Sequence, residues 1–205
     1  MTIQVKDGFF YRDRQFAIFA EANSRFLTSP TDFFHPEDFG LKTWGCSTAC
    51  WRGFIARFTL DEANRLILKD LYVAPLCGNP PLLNGVRPIE LSYEKQSNFC
   101  GCRFWYRDVA LRYDYTGSIL IGGESSGWAT GWIYDVTAYR VVFELDFENG
   151  LLTRAVDRSE NAARAEKARK SDEFRKRCEN GEFGAAVREV FAETFDAAFV
   201  TKWFK

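Results

Sequence analysis

Six cysteines and a single histidine are the residues of this chain best suited to covalent or metal chemistry. Five of the cysteines fall in the loop-rich middle of the sequence: Cys46, Cys50, Cys77, Cys100 and Cys102. Thiolates at short spacing can converge on one tetrahedral zinc ion, so Cys46, Cys50, Cys100 and Cys102 are candidate ligands. The spacings C-x-x-x-C and C-x-C differ from the usual pair of C-x-x-C knuckles. Buried, unreactive thiols are therefore the favoured interpretation, and no bound cofactor is expected.

A cysteine nucleophile would have to use the one histidine. Cys46 or Cys50 near His35 could form a thiolate–imidazolium pair across two loops. The neighbours of His35 are Phe34 and Pro36, which are more typical of a loop anchor. No catalytic residue is predicted, and a non-enzymatic role is favoured.

Carboxylates alternate with apolar residues along two predicted strands. Glu144, Asp146 and Glu148 share one face of the first strand, and Glu90 and Glu94 lie similarly on the second. Such alternation is typical of a half-solvated strand. The functional alternative is an acidic docking surface for a basic partner, and these five residues are the predicted partner-binding set. On that hypothesis, charge reversal at Glu144 and Asp146 weakens a partner without unfolding the protein.

Composition excludes several classes of protein. The chain has 205 residues, of which 46% are hydrophobic and 17% aromatic, and its net charge is -1. A chain of this length can bury one large core. Binding along nucleic acid or to an anionic membrane needs an excess of basic residues, which is absent overall. The local excess of four positive charges between Arg164 and Arg177 is interleaved with acids at helical spacing, so ion pairing on a solvated helix explains it better than phosphate binding.

The first residues carry charges where a signal peptide needs an apolar run, and no stretch is long and apolar enough to span a membrane. The expected location is the cytoplasm, where thiols stay reduced.

Alternation of apolar and polar residues predicts strands through most of the first 156 residues. Residues 51 to 73 form a predicted hairpin, residues 89 to 93 a short strand, and residues 139 to 156 a second hairpin that turns at Asn149-Gly150. The predicted fold is α+β: an antiparallel, twisted sheet or partly open barrel with two C-terminal helices.

The last fifty residues change to alanine, charge and helical spacing. Two helices are predicted, over about 158 to 179 and from about 183. Aromatic and aliphatic residues recur every four positions in the second helix, at Phe183, Val187, Phe191, Phe195, Phe199 and Trp203. We expect this stripe to pack on the sheet, with docking into a partner groove as the alternative. The domain prediction is a β-rich unit over 1–156 and a helical segment over 157–205 packed on it.

The motif Ser47-Thr48-Ala49-Cys50-Trp51-Arg52-Gly53-Phe54 resembles a group of small bacterial cytosolic proteins that share S-T-x-x-W-R-G-[YF] followed by a strand. A second block, from Asp114 to Ile121 and then the strand ending in Glu148-Asn149-Gly150, is similar to the same group. The resemblance covers about residues 40 to 156 and implies no particular activity. Between Gly122 and Tyr139 the chain lacks the histidine-bearing strand of that group.

Two classes of function remain. The first is a non-enzymatic cytosolic binding protein, most concretely an immunity protein that neutralises a bacterial toxin by direct binding. Exposed tryptophans among Trp44, Trp51, Trp105, Trp128 and Trp132 would favour such a surface. The alternative is a cysteine-dependent or zinc-binding enzyme or domain that uses the five central cysteines.

Overall fold

The computed structural model describes residues 4–22, 33–125 and 136–203. Within these ranges ten strands form one sheet, with β1 and β2 near its middle. The strands are β1 (Gly8–Tyr11), β2 (Arg14–Glu21), β3 (Phe54–Leu60), β4 (Leu66–Val73), β5 (Ile89–Glu90), β6 (Phe104–Tyr106), β7 (Leu111–Arg112), β8 (Gly117–Ser125), β9 (Tyr139–Glu148) and β10 (Leu151–Asp157). Their order is β10-β9-β8-β2-β1-β3-β4-β6-β5, and β7 also pairs with β4. Every described pair is antiparallel except β1 with β3, which confirms the predicted α+β class with an open sheet.

Both predicted hairpins are present. Strands β3 and β4 are joined by a turn in which the carboxylate of Asp61 accepts hydrogen bonds from the N–H groups of Ala63 and Arg65, at 2.9 and 2.8 Å. Strands β9 and β10 are joined by Asn149 and Gly150, both with positive φ. Local turn chemistry and the period of two are sufficient to specify these units.

The sheet curls around its main core. Arg65 and Leu151 form a backbone bridge although β4 and β10 are six places apart in the strand order. A flat sheet would separate those strands by about 29 Å at the usual spacing between neighbours. The inner face carries one apolar cluster that includes Phe9, Phe58 and Phe147. The outer face is the one opposite this cluster.

The predicted strand at residues 89 to 93 is wrong beyond its first two residues. Strand β5 ends at Glu90, and α1 (Tyr93–Asn98) follows. The side chain of Gln96 donates to the carbonyl of Leu91 at 2.8 Å, and the N–H of Gln96 donates to the carbonyl of Ser92 at 2.9 Å. These local hydrogen bonds fold the segment into a helical turn despite its apolar alternation.

Four helices follow the sheet, because each predicted helical stretch is divided in two: α2 (Ser159–Arg169), α3 (Asp172–Glu179), α4 (Phe183–Thr194) and α5 (Ala197–Trp203). Phe191, Phe195 and Phe199 join Val142 of β9 in a second apolar cluster on the outer face. Only the first stripe residue, Phe183, is exposed. The expectation that the stripe packs on the sheet is confirmed.

Candidate thiolate site

Three of the predicted cysteine ligands meet at one point. The sulfur atoms of Cys46, Cys50 and Cys102 all lie within 4.8 Å of one another, and those of Cys46 and Cys102 are 3.8 Å apart. Cys50 and Cys102 are buried, and Cys46 is half-buried. Tetrahedral coordination with zinc–sulfur bonds of about 2.3 Å places neighbouring sulfurs about 3.8 Å apart. The distance between the sulfurs of Cys46 and Cys102 matches this value, and the other two distances are no more than 4.8 Å.

A tight turn brings Cys46 and Cys50 together. The N–H of Cys50 donates to the carbonyl of Ser47 at 3.0 Å, and the N–H of Cys46 donates to the carbonyl of Cys50 at 3.2 Å. The chain leaves the turn through Gly53, whose φ is +71°. A Cβ there would lie 2.1 Å from the carbonyl oxygen of Trp44. Only glycine fits this position, so the glycine of the W-R-G motif fixes the path of the loop.

The third sulfur arrives on a second loop, which has an unusual backbone. Cys100 has a φ of 55° and Gly101 a φ of 91°. A Cβ on Gly101 would lie 2.9 Å from the carbonyl oxygen of Cys46, so the two loops are in close contact. A residue with a side chain adopts the left-handed conformation only where its surroundings impose it. Here the N–H of Gly101 donates to the carbonyl of Gln96 at 2.8 Å, which ties the loop to α1 and presents Cys102 to the cluster.

The N-terminal segment holds the first loop in place. The buried carboxylate of Asp7 accepts two hydrogen bonds from the guanidinium of Arg52, at 2.7 and 3.1 Å, and one from the N–H of Ala56 at 2.8 Å. The side chain of Gln4 donates to the carbonyl of Thr48 at 2.8 Å. The arginine of the W-R-G motif is thus a structural residue. Asp7 was not predicted from the sequence, because a lone acid before a strand has no distinguishing pattern.

The three thiols do not ionise alike. The hydrogen bond from Cys102, together with one from Cys46, lowers the pKa of Cys50 far below its ordinary value, and the charge of Arg52 acts in the same direction. The hydrogen bonds with Cys46 and Cys50, together with burial, raise the pKa of Cys102. The hydrogen bond from Cys102 lowers the pKa of Cys46, but the hydrogen bond with Cys50 and burial outweigh it and raise that pKa to about 11. One thiolate, that of Cys50, therefore forms readily while Cys46 and Cys102 keep their protons. Binding of a cation by all three sulfurs would release both protons, because metal ligands must be deprotonated.

The remaining chemistry-bearing residues lie apart from this cluster. His35 is exposed at the start of a 3-10 turn, Pro36–Phe39. Cys77 is exposed, and Cys178 lies on α3. Among the described residues, the three-cysteine cluster is the only group of His, Cys, Asp or Glu side chains close enough to share a metal ion, so His35 is not part of it. Cys100 is half-buried, two positions before Cys102.

Two of the five predicted partner-binding acids lie against the chain's own helices. Glu144 is 1% exposed and accepts hydrogen bonds from Arg158 at 2.7 and 3.0 Å, Lys202 at 2.8 Å and Trp203 at 3.2 Å. Asp146 is half-buried and accepts from Lys202 at 2.9 Å. Burial raises the pKa of Glu144, but these hydrogen bonds outweigh it and hold the pKa below its ordinary value; that of Asp146 is lowered in the same way. The expectation of a solvated face is wrong for Glu144, because the face meets helix rather than water.

The other three predicted acids are exposed. Glu148 ends β9, Glu94 lies on α1, and Glu90 of β5 pairs with Arg103 at 2.8 Å. Strands β9 and β5 lie near opposite ends of the strand order. Partner binding by these three residues stays a prediction.

The basic segment of α2 and α3 is paired much as its spacing predicts. Lys170 pairs with Glu166 at 2.6 Å, and Arg175 pairs with Asp172. Arg169 is buried and donates to the hydroxyl of Thr137 at 3.0 Å. These cations are directed to groups of the chain itself.

Comparisons with protein-family models, with curated proteins and with solved structures gave no match for this chain. In the part of the chain that the structure describes, no helix combines the length and apolar character needed to cross a membrane. The chemistry of the site therefore has to be argued from its own geometry. Trp128 and Trp132 lie outside the described residues.

Proposed function

We propose that this is a zinc-binding protein in which Cys46, Cys50 and Cys102 are three of the metal ligands. The observation that carries the proposal is the convergence of three sulfurs, from two separate loops, within 4.8 Å. Thiolates are soft ligands, and a buried set of tetrahedral thiolates is typical of structural zinc.

The proposed role of the metal is structural. When bound, zinc would neutralise the thiolate charge and cross-link the loop of Cys46 and Cys50 to the loop that follows α1. The close contact of these loops at Gly101 supports this role, because the two loops already lie side by side. Thiolate ligands must remain reduced, so we place the protein in the cytoplasm.

The test is metal content together with a spectroscopic probe. The protein is expressed with zinc, purified under reducing conditions without chelator, and measured for metal by mass spectrometry. We expect close to one zinc per chain in the wild type and in Cys178→Ser, the matched control on α3. We expect a large loss in Cys50→Ser and in Cys102→Ser. Replacement of zinc by Co²⁺ should give a thiolate-to-cobalt charge-transfer band that Cys178→Ser retains and Cys50→Ser loses.

Folding has to be checked in the same samples, because a buried cysteine variant can simply unfold. Circular dichroism of each variant provides this check. A wild-type protein that is folded and reduced, yet takes up neither zinc nor Co²⁺, would overturn the proposal. Equal metal content in Cys50→Ser, Cys102→Ser and the wild type would overturn it as well.

A second function, binding of a protein partner, is favoured by two exposed tryptophans beside this site. Trp44 is 68% exposed and Trp51 is 62% exposed. Their segments are in close contact, since a Cβ on Gly45 would lie 3.4 Å from Cα of Trp51. Tryptophan is enriched at the energetic centres of protein interfaces. This surface replaces Glu144 and Asp146 as the proposed contact region, and a bacterial toxin remains the concrete partner that we propose.

Tagged pull-down from bacterial lysate tests the second function. We expect one stoichiometric protein with the wild type and with Leu82→Ala, a control at another exposed apolar residue. That protein should be lost with Trp44→Ala and Trp51→Ala. If it is a toxin, wild-type protein should relieve its growth arrest and the tryptophan variants should not. Retention of the partner by both tryptophan variants would contradict the proposed surface.

A further inference from the structure

The sulfur atoms of Cys46 and Cys102 are in contact, at 3.8 Å, although they arrive on two separate loops. The loops themselves also touch, because a Cβ on Gly101 would lie 3.3 Å from the Cβ of Cys46. A disulfide needs two sulfurs that can approach to about 2.05 Å and two Cα atoms within about 7 Å of each other. The contact at Gly101 brings the backbone beside Cys102 against Cys46, which favours such a bond.

The two sulfurs differ in their access to solvent. Cys46 is half-buried, whereas Cys102 is fully buried. A cysteine that senses oxidants is typically reachable from solvent and lies next to a second cysteine that completes a disulfide. Cys46 matches the first description and Cys102 matches the second. Disulfides of cytosolic proteins are usually transient, and many of them sense the redox state.

We propose that Cys46 and Cys102 form a reversible disulfide when the protein meets hydrogen peroxide, and that this bond empties the zinc site. The inference rests on the proposed function, because both residues are also proposed zinc ligands. Zinc binds thiolates, and a sulfur in a disulfide carries no negative charge. Oxidation would leave Cys50 as the single thiolate of the cluster, which is too few to hold the ion.

The reaction has two steps and consumes one molecule of peroxide. The thiolate of Cys46 attacks an oxygen of hydrogen peroxide, so that an S–O bond forms, the O–O bond breaks and hydroxide leaves. The thiolate of Cys102 then attacks the sulfur of the resulting sulfenic acid, so that the S–S bond forms, the S–O bond breaks and a second hydroxide leaves. The two sulfurs together lose two electrons, and the peroxide gains them. Both sulfurs begin as thiolates because they are zinc ligands at that stage.

A disulfide between Cys46 and Cys50 is the competing product. These two residues already belong to one turn, in which the N–H of Cys46 donates to the carbonyl of Cys50 at 3.2 Å. A bond between them would leave the two loops without a covalent link once zinc had left. The bond to Cys102 keeps the loops joined, so the oxidised protein should stay folded without the metal.

The test is oxidation of zinc-loaded, full-length protein with hydrogen peroxide. Released zinc is measured with the indicator pyridylazoresorcinol, and the protein is measured by intact mass and by tryptic mapping without reduction. Trypsin releases the two loops as separate peptides, 43–52 and 96–103, with two cysteines in each. We expect loss of the zinc, a mass lower by two hydrogen atoms and a cross-link between these peptides. Dithiothreitol should reverse the mass change and the cross-link, and the reduced protein should take up zinc again.

Fragmentation of the cross-linked peptides assigns the bond in the wild type itself, so the assignment does not depend on a variant that could unfold. Cys100→Ser and Cys178→Ser are the matched controls, and both should form the same cross-link. Cys46→Ser should not form it, and circular dichroism shows whether that variant is folded.

The outcomes separate this inference from the zinc proposal. Zinc-loaded protein that keeps its metal and its mass in peroxide would overturn the inference alone. A bond between Cys46 and Cys50, or added oxygen atoms in place of a cross-link, would also overturn it alone. Protein that holds no zinc before peroxide is added would overturn the proposed function, and this inference with it.

Discussion

Replacement of Glu144 by glutamine should weaken the attachment of the helical segment to the sheet. The carboxylate is fully buried and accepts hydrogen bonds from two cations, Arg158 and Lys202, and from the indole of Trp203. Glutamine keeps the shape but removes the charge, and its NH₂ group cannot accept a hydrogen bond. Breaking a buried ion pair from one side costs about 3–5 kcal/mol, because the remaining charge stays buried without compensation.

The lower end of that range applies here, since each cation keeps another partner. Arg158 retains Asp196, and Lys202 retains Asp146 at 2.9 Å. We therefore expect Glu144→Gln to lower the free energy of unfolding by about 3 kcal/mol, which is a large share of the 5–15 kcal/mol typical of a folded domain. Urea unfolding followed by circular dichroism measures this directly.

Glu148→Gln is the matched control, because it makes the same change on the same strand at an exposed position. It should change the free energy of unfolding by no more than about 0.5 kcal/mol. A loss of under about 1 kcal/mol for Glu144→Gln is the value expected of a solvent-exposed ion pair. That result would refute the buried network and restore Glu144 as a candidate for contact with another protein.

Three further predictions follow from the same structure. Glu144 and Asp146 have lowered pKa values in the folded protein, so their ionised forms stabilise the fold. This stabilisation is complete above about pH 5 and is lost as the pH falls through the lowered pKa values. The midpoint of urea unfolding should therefore decline in acid, and less steeply in Glu144→Gln than in the wild type. Phe199→Ala, at a side chain that is 1% exposed, should destabilise by about 3–5 kcal/mol in the same urea assay, and a value under about 1 kcal/mol would contradict its place in the outer-face core. Gly53→Ala should lower the free energy of unfolding by about 1–3 kcal/mol through backbone strain, and by more if the clash with the Trp44 carbonyl is not relieved. The zinc content should fall in parallel. Normal stability and metal content would show that the loop is less constrained than the structure indicates.

The two hairpins, β3–β4 and β9–β10, were the most predictable part of this fold. The two hairpins carry their own turn residues, and alternation of apolar side chains is visible over each strand. The wrong strand prediction at residues 89 to 93 also rested on alternation, and alternation over five residues does not exclude a helical turn. A side-chain hydrogen bond from Gln96 decides that segment.

Polar faces were less predictable, because alternation shows that residues share a face but not what the face meets. The partners of Glu144 are Arg158, just before the helix that follows the next strand, and Lys202 near the end of the described chain. The cysteine cluster illustrates the same limit. Sequence reasoning selected Cys46, Cys50 and Cys102 among others, but only the register of the sheet brings their loops together and leaves Cys77 outside.

The central position of β1 and β2 has a consequence for how the protein is made. These strands are synthesised first, yet one flank of the pair is closed by β3 and the other by β8, which comes late in the chain. The hairpin of β1 and β2 must therefore wait, with the outer edge of β2 unpaired, until β8 has been synthesised. Pairing between strands so distant in sequence makes folding slow compared with a protein of local contacts. During that interval the exposed edge of β2 is open to pairing with another nascent copy, so this strand order favours aggregation during synthesis.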